Sequence, residues 1–211
     1  MIRRFLDLPN AVTLLGLELG LAAALLAVGG RVAWAFAALV LAGVCDLLDG
    51  LVARRVAGRS EEARRFGARL DSLVDACSFG AAPALLLHAL LPGPLGLALP
   101  AAYLAAAVWR LAYFDTVGLG GEGEARYYTG LPTTFAALLL PLAGLAGLAG
   151  ATPLRWALGA TGAVHALLMV SPLRLRKPGG RWYAALCALA LALVAGWSAI
   201  GLGAATMPGH G

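Results

Sequence analysis

Four carboxylates, Asp46, Asp49, Asp71 and Asp75, stand in otherwise apolar sequence between Cys45 and Pro83. An unpaired carboxylate at mid-membrane costs roughly 2.5–3.5 kcal/mol, so something must compensate each of them. On helices, Asp46 and Asp49, three residues apart, share one face, and Asp71 and Asp75, four apart, share another. Two such helices side by side would offer four oxygen-bearing groups to one site. Like charges gathered at low dielectric repel unless cations join them, and all-oxygen ligation favours hard ions such as Mg²⁺ or Mn²⁺ over zinc. The expectation is a binuclear divalent-metal centre. The competing reading pairs Asp71 and Asp75 with Arg64, Arg65 or Arg69 and leaves Gly50, Ala53 and Gly67 as helix-packing residues.

The elements that would position these groups are membrane helices. With 61% hydrophobic and 13% charged residues over 211 positions, the chain is too apolar for an ordinary soluble domain. Its apolar runs are about 20 residues long without strand-like alternation, so the fold expected is an all-α polytopic membrane helix bundle of about seven transmembrane helices. The spans are expected near residues 11–28, 31–54, 65–91, 95–114, 132–149, 154–170 and 182–202. Residues 1–8 read as a short amphipathic interfacial helix ended by Pro9, with Asn10 capping the first span and Pro83 kinking the third. The whole of 1–211 reads as one membrane domain, with six spans at 9–171 and an additional C-terminal helix at 182–203. Cys45, Cys77 and Cys187 sit at no metal-ligand spacing and read as small packing residues without a disulfide. His88 and His165 read as packed or interfacial histidines rather than ligands. Trp34, Trp156, Trp182 and Tyr183 fit an aromatic belt.

The net charge of +5 reflects topology rather than a nucleic-acid partner. A cytoplasmic amino terminus puts Arg3, Arg4, the 54–69 basic cluster, Arg110, Arg126, Arg174, Arg176, Lys177 and Arg181 on the cytoplasmic side. Only Arg31 and Arg155 then fall opposite, as the positive-inside rule requires. The short connection between the second and third spans makes them antiparallel neighbours. At 1.5 Å per residue, Asp49 lies ~7.5 Å below Arg54 and Asp71 ~9 Å below Arg65, while Asp46 and Asp75 lie ~12 and ~15 Å down. The pairs match in level, and Gly50, Ala53 and Gly67 leave room on the same faces for close helix approach or a flat ligand.

At these residues the chain resembles the CDP-alcohol phosphotransferase family, whose signature D-x2-D-G-x2-A-R, spacer, G-x3-D-x3-D is filled by Asp46, Asp49, Gly50, Ala53, Arg54, Gly67, Asp71 and Asp75. The spacer here, Arg55 to Phe66, is twelve residues where the family usually has eight. The stretch Phe66 to Pro83 is most similar to the bacterial and archaeal phosphatidylserine synthases, as are Arg110 to Asp115 and Gly130 to Thr134, although Tyr113 and Asp115 differ from their more usual R-L-A-R-F-N. Pro9 to Thr13 also resembles the start of the family's first span.

The resemblance implies transfer of the phosphatidyl group from CDP-diacylglycerol to L-serine, releasing CMP. It implies two divalent cations held by the four aspartates, with Asp75 as general base. It also implies CDP contacts from Gly50, Ala53, Arg54, Gly67, Asn10 and Thr13, acceptor contacts from Arg110 and Asp115, and a homodimer. Glycerol 3-phosphate, an inositol phosphate or another alcohol remains an alternative acceptor. Membrane prenyltransferases also bind pyrophosphate through aspartates but lack this joined signature, and a cation transporter would show broken helices in paired repeats.

Overall fold

The computed structural model describes residues 5–56, 58–120, 127–176 and 181–206. Arg3, Arg4, Arg126 and Lys177, counted above for topology, lie outside the described residues, as do positions 1–4 of the expected interfacial helix. Helices α1 (Leu8–Val28), α2 (Val32–Arg55), α3 (Glu61–Asp75), α4 (Ala82–Leu90), α5 (Leu95–Val117), α6 (Ala136–Gly144), α7 (Ala151–Met169) and α8 (Arg181–Thr206) make up the bundle. A π-helical segment, Ala76–Ala81, joins α3 to α4 into one rod, and 3₁₀ turns extend α6 at both ends. Among the described residues the result is seven rods forming an all-α membrane bundle. Five of them, including the thirty-residue Glu61–Leu90, are long and apolar enough to cross a membrane.

The first rod begins differently from the expectation. Pro9 does not end a helix but occupies the first turn of α1, where its missing N–H would have had no helical partner anyway. Asn10 is not the cap; the Asp7 carboxylate accepts from the Asn10 backbone N–H at 3.1 Å. Gly29 and Gly30 make the expected turn into α2, whose 24 residues span about 36 Å and carry Arg54 and Arg55 in the last turn. The third rod starts four residues earlier than Arg65, at Glu61. There the Ser60 hydroxyl accepts from the Ala63 N–H at 3.2 Å, and Glu61 and Glu62 sit at the positive end of the helix dipole.

The irregularity of that rod also lies upstream of Pro83, in the π segment directly after Asp75. Proline at position 83 can neither donate to the carbonyl four residues back, Phe79, nor tolerate it closely, so the preceding turn widens. The Tyr103 hydroxyl lies 3.4 Å from that carbonyl and 3.1 Å from His165 Nδ1, while His165 Nε2 faces the Pro132 carbonyl at 3.2 Å. A carbonyl only accepts, so Nε2 carries the imidazole proton and Nδ1 takes the hydroxyl proton of Tyr103. This buried network ties α5 to α7 and to the start of the α6 rod, beside the π segment.

Small residues set how closely the rods pack. A Cβ on Gly20 would collide with Ser78, one on Gly43 with Ala137, and one on Gly144 with Phe36. Around these contacts sits a core of Phe36, Leu39, Phe79, Leu86, Leu87, Leu140 and Leu158, with Trp197 of α8 against the Phe36 ring at 4.7 Å. Outside the spans, strands β1 (Tyr127–Thr129) and β2 (Arg174–Arg176) pair antiparallel, Tyr128 opposite Leu175. This short ladder, not anticipated from the sequence, joins the segments that follow α5 and α7 at the same end of the bundle as Arg54.

Candidate metal and nucleotide site

The second and third rods bring three carboxylates together. Single oxygens of Asp46, Asp49 and Asp71 all lie within 4.8 Å of one another. Asp75 is not part of that triplet, yet it lines the same small hollow with Asp46, Asp49, Asp71, Thr13 and Ser78. It stands deeper, as the last residue of α3 before the π segment, and is 8% exposed against 7% for Asp49. Four acidic groups around one hollow are a repulsive arrangement in a protein interior, and an all-carboxylate donor set fits hard divalent cations. Among the described residues no basic side chain forms an ion pair with them. Arg65 contacts Glu61 at 3.9 Å on the surface, and Arg69 contacts Asp115 at 3.4 Å.

One carboxylate is oriented by a neighbour. The Thr13 hydroxyl, buried on α1, donates to Asp49 Oδ2 at 2.6 Å, and the Pro9 carbonyl is a more distant acceptor at 3.1 Å. Thr13 lies on a buried side of α1 one turn from Gly16, where a Cβ would come within 3.3 Å of Cys45 of α2.

Toward the Arg54 end the hollow gives way to a cavity of about 540 Å³ lined by Asn10, Thr13, Asp49, Gly50, Ala53, Arg54, Arg59, Arg64, Gly67 and Asp71 among others. Each residue expected to face CDP is therefore on this wall. A Cβ added to Gly50 would meet nothing within 4 Å, so the space before it is open. One on Gly67 would come within 3.0 Å of Arg59 and of the Asn10 side chain. Asn10 itself is engaged on both sides, its Nδ2 donating to the Phe5 carbonyl at 2.7 Å and its Oδ1 accepting from Arg59 at 3.2 Å.

The two residues expected to meet an acceptor separate in the structure. Arg110 of α5 is buried, its guanidinium 5.0 Å from the Phe114 ring centre and 5.8 Å from that of Tyr128. Its Nε has no hydrogen-bond partner among the described residues, and Asp75 and Asp46 lie within its electrostatic reach. Asp115, one turn further along, instead accepts from Ser72 Oγ at 2.7 Å and from Arg69, clasping α5 to α3. Burial pushes the Tyr128 phenol above its usual range, with Tyr183 adding to the rise and Arg110 opposing it, so the hydroxyl beside Arg110 keeps its proton.

Sequence reasoning did not single out Ser72, Arg59 or Tyr128. Ser72 was visible as the residue following Asp71, but its partner Asp115 is 43 positions away. Glu18 also went unremarked. It lies ten residues into α1, on the exposed side with Leu14, Leu21 and Leu25.

A family model described as CDP-alcohol phosphatidyltransferase matches residues 6–170. Among similar proteins, an archaetidylserine synthase of Methanothermobacter thermautotrophicus is 33% identical over 148 residues, covering 66% of this chain and 58% of that protein. A CDP-diacylglycerol–serine O-phosphatidyltransferase of Mycobacterium tuberculosis is 35% identical over 136 residues, covering 62% and 46%. One of the same name from Methanocaldococcus jannaschii is 35% identical over 139 residues, covering 66% and 61%. This chain thus matches about half of each relative's length.

Proposed function

The chain belongs to the CDP-alcohol phosphatidyltransferase family, and we propose that it transfers the phosphatidyl group of CDP-diacylglycerol to the hydroxyl of L-serine, releasing CMP and forming phosphatidylserine. The observation that carries this reading is the Asp46–Asp49–Asp71 cluster opening onto a cavity walled by Gly50, Ala53, Arg54 and Gly67. Serine is favoured as acceptor because it appears in the names of all three relatives. A buried guanidinium at Arg110 also suits a single carboxylate.

Asp46, Asp49, Asp71 and Asp75 would hold two divalent cations, Mg²⁺ or Mn²⁺, whose charge offsets that of the pyrophosphate and of the departing CMP. The remaining work falls to side chains. Arg110 holds the serine carboxylate so that the hydroxyl points toward Asp75. Asp75 accepts the hydroxyl proton as the serine oxygen bonds to the phosphatidyl phosphorus and the bond from that phosphorus to the CMP oxygen breaks. Gly50, Ala53 and Gly67 accommodate the flat nucleotide, and Arg54 meets its phosphates. Asn10 shapes the same wall, Thr13 orients Asp49, and Asp115 serves the acceptor by fixing the helix on which Arg110 stands.

In this reading residues 1–211 form one domain, with the catalytic core at 9–171 and the helix at 182–203 packed outside it. The chain is a homodimer in the cytoplasmic membrane, with the amino terminus and site on the cytoplasmic side, in keeping with the basic residues gathered at that end.

The test is metal-dependent CMP release by purified protein in detergent with CDP-diacylglycerol and, in separate reactions, L-serine, glycerol 3-phosphate or inositol 1-phosphate. The expected result is release with serine alone, lost in Asp75→Asn. Release with a different acceptor replaces serine while keeping the chemistry. No release with any of them, from folded protein supplied with Mg²⁺ or Mn²⁺, excludes all three acceptors, and a native protein that also binds no CMP refutes the transferase reading.

A further inference from the structure

Arg59 lies in the connection between α2 and α3, outside the signature positions, yet its side chain is only 8% exposed. Its Nε donates to Asp7 Oδ2 at 2.8 Å, and its Nη2 lies 3.2 Å from Asn10 Oδ1 and 3.4 Å from the Ala63 carbonyl. These contacts use one edge of the guanidinium and part of another. Nη1 has no hydrogen-bond partner among the described residues. Nor is it one of the buried atoms sealed away without a partner, and Arg59 lines the 540 Å³ cavity. Two N–H groups at Nη1 are thus left for whatever occupies that space.

The position is a built one. Asp7, which caps α1, and Asn10, on the first turn of the same helix, hold the guanidinium from behind, and Ser60 starts α3 immediately after it. The glycine at 67 makes room for the guanidinium, since a Cβ there would stand 3.0 Å from Nη2 and 3.7 Å from Nη1. Arg54, Arg59 and Arg64 line the cavity together with Asp49 and Asp71. Three guanidinium groups in one cavity favour a ligand that carries anionic oxygens. Asp7 offsets the charge of Arg59 only along its outer edge.

We infer that Arg59 is a nucleotide-binding residue of this site: Nη1 donates to a phosphate oxygen of the cytidine nucleotide, and the tie to Asp7 and Asn10 holds the fork in place beforehand. This rests on the CDP-dependent reading above. It also gives Gly67 a reason to lack a side chain that does not depend on touching the nucleotide.

The experiment titrates CMP into the full chain in detergent with Mg²⁺ by calorimetry, and measures KM separately for CDP-diacylglycerol and serine. The proteins compared are the native chain, Arg59→Ala, Arg59→Lys and Asp7→Asn, with melting curves to confirm folding. Asp7→Asn keeps a side chain able to cap α1 while removing the charge behind Arg59. The expected result is about a tenfold loss of CMP affinity in Arg59→Ala, as for a lost charge-assisted hydrogen bond. KM for CDP-diacylglycerol should rise in parallel, KM for serine should not change, and Asp7→Asn should lose less. Should Arg59→Ala fail to fold, Arg59→Lys, charged but without the fork, is expected to lose CMP affinity severalfold. CMP affinity within about twofold of native in the folded variants overturns the inference, as does an equal loss in Asp7→Asn or an equal rise in both KM values. A native chain that binds no CMP overturns the CDP-dependent reading and the inference with it, whereas native binding untouched by the Arg59 substitutions overturns the inference alone.

Discussion

Replacing Thr13 by valine removes one hydroxyl and almost no volume, and the structure says what that hydroxyl does. It donates to Asp49 Oδ2 at 2.6 Å, and Asp49 is only 7% exposed. Among the described residues its one competing acceptor, the Pro9 carbonyl, is neutral and further away at 3.1 Å. A hydrogen bond to a charged group contributes about 1.5–3 kcal/mol, and each 1.4 kcal/mol is a factor of ten, so a cation held by Asp49 should bind roughly 10- to 100-fold more weakly in Thr13→Val. Thr13→Ser, which keeps the donor, should stay within severalfold of native. The assay is a Mn²⁺ titration of the purified protein in detergent, following free Mn²⁺ by electron paramagnetic resonance, with Asp49→Asn as the reference loss. Mn²⁺ affinity in Thr13→Val within twofold of native, alongside a clear loss in Asp49→Asn, refutes the claim that Thr13 orients the ligand. The same affinity in native protein and Asp49→Asn refutes the metal site itself.

Three further outcomes follow from the geometry. Gly50→Ala should melt like the native protein, because the added methyl meets no protein atom within 4 Å, yet lose CMP affinity severalfold as that methyl enters the cavity; a lowered melting temperature with unchanged binding would contradict this. Arg110→Gln should raise KM for serine at least about tenfold, as expected when a carboxylate loses its charged partner, and leave CMP affinity as it was. Steady-state kinetics with both substrates varied separates these, and a rise confined to KM for CDP-diacylglycerol would move Arg110 to the nucleotide side. Glu18→Leu should raise the unfolding midpoint in lipid nanodiscs, because a carboxyl on the exposed side of a mid-span position costs about 2.5–3.5 kcal/mol at the bilayer centre. A fall in that midpoint would show that Glu18 is covered by a partner.

What the sequence by itself determined is whatever repeats along one helix. Apolar runs of membrane length specified the class of fold and the number of rods. Spacings of three and four put Asp46 with Asp49 and Asp71 with Asp75, but the direct packing expected of their helices is not what the structure shows: α1 packs against both α2 and α3, and the carboxylates approach one another beside it. Gly50, Ala53 and Arg54 followed on the same face by the same helical spacing, and all three line the cavity. Local capping was less legible. Asp7 and Asn10 are both capable caps three residues apart, and the tolerance of a first helical turn for proline made Pro9 an opening rather than an end.

Contacts between rods had to wait for the tertiary structure, because they depend on how far each helix is rotated and how closely it is pressed to its neighbour. Those quantities are set by small residues such as Gly16, Gly20 and Gly43, whose partners are tens of positions away. Thr13 meets Asp49 across 36 positions, Arg59 meets Asp7 across 52, and Asp115 turns to Ser72 across 43. The same holds for Asp75. Its four-residue spacing from Asp71 predicted a shared face, but the widened turn that begins just past it is decided by Pro83, and the Tyr103–His165 pair beside that turn by the packing of α5 on α7. Periodicity names the face a side chain occupies, and packing decides what that face meets.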